Sequence, residues 1–157
     1  MLVVAETRKH IMNVNRVIGA VVKELLNRSA THDQTKLTEP ELSGFERYTP
    51  RLRNLTFMSD EYKQTLKDMG PFLDRHYGHN RHHPQHFENG VAGMNLVDVL
   101  EMVCDWKAAT LRHADGDIKK SIESQAGRFD LPPMLVQIML NTAEWIEEQG
   151  LDLEEGE

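Results

Sequence analysis

An all-α fold, a single-domain helical bundle of five to seven helices, is predicted by three features of this sequence. Apolar residues recur at helical spacing through most of the chain, helix-start residues stand ahead of those stretches, and no segment alternates convincingly as a strand. The first helix runs from Glu6 to about Arg28, with a stripe of Ile11, Val14, Val17, Ile18, Val21, Val22, Leu25 and Leu26. Thr31 is placed to cap the short segment HDQTKL, and Thr38 with Pro40 and Glu41 starts a second helix that Pro50 should close. Ser59, with Asp60 and Glu61 in the first turn, opens a helix through Tyr62, Leu66 and Met69. Gly70-Pro71 then makes either a kink or a boundary between two helices.

A histidine-rich segment and the loop ENGVAG follow, and Asn95 caps a helix from Leu96 to about Arg112. HADGD breaks that helix, IKKSIESQAGRF makes a short one, and Asp130 with Pro132 opens the last, carrying Leu135, Ile138, Met139, Ala143 and Ile146. This final helix can pack the core or serve a homo-oligomer interface. Residues 1–150 read as one domain and 151–157 as an acidic, disordered tail.

The chain has 157 residues and a net charge of -7, which disfavours a nucleic-acid polymer or an anionic membrane as main partner. A small phosphorylated molecule needs only a few local cations and stays open. Cys104 is the only cysteine, so no intrachain disulfide forms and the cytoplasm is the expected compartment. No run reaches membrane-spanning length. Phosphate-binding glycine loops, nucleophile elbows and paired-cysteine zinc motifs are all missing from the sequence.

What remains for chemistry is histidine and aspartate. His10 shares the apolar stripe of the first helix and is either a hydrogen-bonded core residue or a ligand. His32-Asp33 is an imidazole beside a carboxylate; on a regular helix adjacent residues diverge by about 100°, but at a bend they can converge on one ion. Five of the eight histidines, His76, His79, His82, His83 and His86, fall within eleven residues, too tightly around Pro84 for all to serve one ion. Asp105 shares its helix face with Met102, Ala108 and Ala109, where a carboxylate is costly unless it meets a metal or a cation such as Arg112. Asp98, on the same face, is either an outer acid of such a site or a helix-start residue.

The order His10, His32-Asp33, histidine cluster, Asp105 resembles the signature of the HD-domain metal-dependent phosphohydrolase superfamily. HDQTK is similar to the HD-x-x-K form of its HD-GYP branch, and His82-His83 ahead of FENG to that branch's paired histidines. LEMVCDWKAAT resembles the helix carrying the final aspartate. The GYP tripeptide is absent, so cyclic-dinucleotide specificity is not implied. The short length and the segment NRHHPQH also resemble small HD-like proteins of phages and bacteria, for which host cytoplasm would be the compartment.

The resemblance implies an HD-like helical bundle in which His10, His32, Asp33 and Asp105 hold one metal. His82 or His83, with one of His76, His79 and His86, would hold a second. It marks Asp33, Lys36 and Asp105 as catalytic, and sets Lys36 and Arg112 against a substrate phosphate, with His79 or His86 turned towards substrate. Such an imidazole and carboxylate set suits one or two ions of Mn²⁺, Fe²⁺, Co²⁺ or Ni²⁺, accommodates Zn²⁺, and suits Mg²⁺ less well. The expected activity is hydrolysis of a nucleotide or similar small phosphoester. Two rivals are an HD-fold di-iron oxygenase and a non-catalytic, metal-stabilised interaction protein.

Overall fold

The computed structural model describes residues 2–56, 59–111 and 116–150, and is all-α: it holds seven α-helices and no strand among the described residues. Arg112 and the tail 151–157 lie outside them. The chain divides into two compact units, Met1–His32 and Asp33–Glu157.

The first unit is one helix, α1 (Leu2–Thr31), of 30 residues, roughly 45 Å long. Its stripe was expected to pack, yet no residue of α1 is buried, and Ile11, Val14, Val17, Ile18 and Leu26 are all exposed. A lone helix offers its own unit no second layer to pack against. Thr31 does not cap the following turn; it closes α1 by donating its hydroxyl to the Asn27 carbonyl.

The second unit begins at Asp33, in the left-handed region at φ 54°, which redirects the chain into a 3-10 turn, Gln34–Leu37. Helices α2 (Glu41–Arg53), α3 (Asp60–Asp68) and α4 (Gly70–His79) follow. Pro50 does not close α2, which runs three residues further. The backbone bond lost at Pro50 would have reached the carbonyl of Glu46, and both residues are exposed, so water can take its place. Ser59 caps α3 by accepting from the Tyr62 amide, and Gly70-Pro71 proves to be a boundary, with Pro71 in the first turn of α4. Helices α2 and α4 meet at Gly44. A Cβ there would fall 2.3 Å from the Phe72 ring, so only glycine permits this approach.

After α4 the chain makes two 3-10 turns, Pro84–His86 and Gly90–Gly93, and enters α5 (Leu96–Thr110). Asn95 and Asp98 cap α5 reciprocally: Asn95 accepts from the Val97 and Asp98 amides, and Asp98 accepts from the Asn95 amide. Helices α6 (Ile118–Phe129) and α7 (Pro133–Glu148) complete the unit. Asp130 does not open α7. It ends α6 in the left-handed region at φ 49°, and Pro133 begins α7. The core joins these three helices through Met102, Val103 and Trp106 of α5, Ile118 and Ile122 of α6, and Met139 and Ala143 of α7. Trp106 stacks on Phe129, with ring centroids 6.3 Å apart. No helix among the described residues is long and apolar enough to cross a membrane.

Candidate metal centre

Three stretches of the second unit supply the polar cluster: the left-handed turn at Asp33, the last turn of α4, and the loop after it. His76 lies on the inner face of α4, 2% exposed, with Phe45 edge-on at 5.6 Å. His82 is equally buried. His83 is packed edge-on to the rings of Tyr77, at 4.9 Å, and His76, at 4.8 Å. The loop between α4 and α5 is fixed by Arg81, whose Nε and a terminal nitrogen donate to the two oxygens of Asp98 at 3.0 and 2.9 Å. The same guanidinium covers the Phe87 ring, and Phe87 packs so closely on Gly93 that a Cβ there would lie 2.7 Å from the Phe87 Cβ and 3.1 Å from the ring. Held on this non-helical backbone, the adjacent His82 and His83 converge, with ring centroids 4.0 Å apart.

Asp33, His76, His82 and His83 each place one donor atom within 4.8 Å of the others. His76 Nε2 is 2.9 Å from His83 Nε2 and 3.2 Å from Asp33 Oδ1, and His82 Nε2 is 3.5 Å from the same oxygen. Metal–ligand bonds of about 2.0–2.2 Å give donor–donor edges of about 3.0 Å in an octahedron and about 3.5 Å in a tetrahedron. The donor set therefore fits a divalent ion in type, and the edges of 2.9, 3.2 and 3.5 Å fit one in spacing. Lys36 Nζ meets the other oxygen of Asp33 at 2.5 Å and lies 4.9 Å over the Phe45 ring.

Burial, followed by the neighbouring His82 and His76, lowers the His83 pKa to about 3, against the opposing charges of Asp105 and Asp33. His83 is therefore neutral at pH 7 and has a lone pair for a metal. Because its folded pKa lies below the ordinary 6.5, the unfolded chain binds more protons between those values. This contribution to stability is complete above pH 6.5 and is lost as pH falls towards 3. Melting temperatures of the metal-free protein should accordingly fall with acidification from pH 6.5 to 5, and less steeply in His83→Gln. Parallel slopes for the two proteins would disprove this.

A family model matches residues 2–149, nearly the whole chain. The chain belongs to the DUF5662 family. DUF5662 is described as a family of unknown function. No curated protein and no solved structure matches the chain.

In this DUF5662 chain the other residues singled out from sequence are distributed as follows. Asp105 is half-buried on α5, close enough for its charge to act on His83 and on Cys104. Burial, Glu101 and Asp105 raise the pKa of the Cys104 thiol, which keeps it protonated. Asp98 caps a helix and receives Arg81. His79 is exposed, with Nδ1 on the Arg75 carbonyl, and His86 has Nδ1 on the Tyr77 carbonyl. His10 is exposed on α1, and His32 ends the first unit at the peptide bond where the two units divide.

Sequence reading missed two carboxylates of the DUF5662 cluster. Glu41 Oε2 lies 3.0 Å from His76 Nδ1, and Glu101 Oε1 lies 3.2 Å from His82 Nδ1. Glu101 stands one helical turn before Asp105, a spacing visible in the sequence. Glu41 left no such trace, because an acid in a first helical turn is ordinary.

Proposed function

We propose that this protein is a divalent-metal-dependent phosphohydrolase of the HD-like kind, acting on a nucleotide or similar small phosphoester. The observation that carries this reading is the convergence of Asp33, His76, His82 and His83 at the donor spacings of a coordination polyhedron. These four residues would hold the ion, and the family resemblance adds His32 and Asp105; His10 stands about 30 Å along the continuous α1 from Thr31, so it cannot share an ion with His32. When bound, the ion supplies an acidified water and polarises a phosphoryl oxygen.

Lys36 supplies a cation, partly exposed and already beside the cluster, that can leave Asp33 for a phosphoryl oxygen and stabilise its charge in the transition state. His79 and His86 each have a second ring nitrogen with which to orient substrate. Arg112 would add a further cation. A reducing cytoplasm suits the single thiol.

The test is metal analysis of the full chain, followed by an anaerobic phosphate-release screen over nucleotides with Mn²⁺ or Co²⁺. Bound metal is expected, together with phosphate release that EDTA and His76→Ala abolish. Turnover that requires iron and O₂ would replace this reading with the oxygenase. Bound metal without any turnover would leave a structural centre, and a chain without metal would remove the site.

A further inference from the structure

We infer that Glu41 and Glu101 are positioning residues of this centre. Each fixes one histidine so that its Nε2 lone pair, rather than an N–H, faces the ion. The inference rests on the metal-centre reading and assigns work to two side chains outside the donor set.

Hydrogen counting around Glu41 supports it. Asn80 has two amide hydrogens and three acceptors in reach of Nδ2, Thr35 Oγ1 at 2.9 Å, the His76 carbonyl at 2.8 Å and His76 Nδ1 at 3.0 Å; the two shorter contacts take both hydrogens. Thr35 spends its one hydroxyl hydrogen on Glu41 Oε2 at 2.7 Å. His76 Nδ1 lies 3.0 Å from the same oxygen, where an unprotonated nitrogen would set its lone pair against the carboxylate, so donation from the imidazole is the favoured arrangement. A neutral ring that donates from Nδ1 carries its lone pair on Nε2, the atom that lies 3.2 Å from Asp33 Oδ1 and 2.9 Å from His83 Nε2.

Glu101 stands in the same relation to His82, with Nδ1 on the carboxylate and Nε2 towards Asp33. Both pairs have the form carboxylate–histidine–metal, in which the outer acid sets the tautomer and raises ligand basicity. Glu41 is 1% exposed, and a carboxylate buried that deeply needs compensating positive charge. Arg75 approaches its other oxygen only to 3.9 Å, and a divalent ion beyond His76 would complete the balance.

Equilibrium titration of the full chain with Co²⁺ tests this in wild type, Glu41→Gln, Glu101→Gln and, as a control, Glu144→Gln, an exposed side chain of α7. Each of the first two variants should bind about 10–100-fold more weakly than wild type, and the control within twofold. Long-range ¹H–¹⁵N spectra of the metal-free wild type provide a readout that requires no variant to fold. They should show His76 and His82 protonated at Nδ1. Nε2-protonated rings, or wild-type affinity in both Gln variants, would overturn the inference. Wild type that binds no Co²⁺ would instead defeat the metal-centre reading itself.

Discussion

Asp33→Asn should weaken Mn²⁺ or Co²⁺ binding by about 100-fold or more while leaving the metal-free fold nearly intact. Asparagine has almost the same volume and tolerates the left-handed backbone at φ 54°, so the turn out of α1 survives. What is lost is a carboxylate whose oxygen faces both His76 and His82. Its pair with Lys36 is partly exposed and contributes at most about 1 kcal/mol. Metal at a thousandfold over its Kd stabilises a folded protein by about 4.1 kcal/mol, and a hundredfold loss of affinity removes about 2.7 kcal/mol of that. Calorimetric titration and melting with and without metal measure the two quantities independently. Equal metal-induced shifts in variant and wild type would show that Asp33 is not a ligand.

Arg81→Ala should be the most damaging change outside the cluster. Asp98 is fully buried, and the two-pronged contact from Arg81 brings it a cation. Removing one partner of a buried pair costs about 3–5 kcal/mol; because the Arg81 side chain is 41% exposed, a loss nearer about 2–3 kcal/mol is expected here. His82 and His83 follow Arg81 directly, so the same change should also weaken metal binding. In Arg81→Ala/Asp98→Asn the stability losses should sum to less than the single effects, since the charge to be compensated is gone. Strict additivity in denaturant titrations would show that the two side chains act independently.

Helices and caps were legible because each leaves a local trace: Ser59, Asn95 and the spacing of Met102, Trp106 and their neighbours are read within one turn or two. Misreadings arose where two local rules met. Pro50 is a breaker by rule, but its cost depends on whether the carbonyl it orphans is wet. Asp130 is a good helix starter and an equally good left-handed stop, and only the fold chooses between them. In the cluster, Asp33 and the histidines were visible because imidazole is rare and was concentrated. Glu41 was not, because carboxylates are common on helix surfaces and its burial depends on α4, some 35 residues away. The exposed stripe of α1 shows the converse: periodicity predicts the helix without saying what, if anything, covers it.

Gly44 gives the centre a mechanical property. The side chain it lacks sets the spacing between α2 and α4, and Glu41, one turn earlier on α2, touches His76 on α4 across that spacing. Strain that separates the two helices by a few tenths of an ångström would stretch the outer carboxylate contact before it moved any donor atom. If the cluster holds an ion as proposed, its affinity would gauge how tightly α2 and α4 are pressed together.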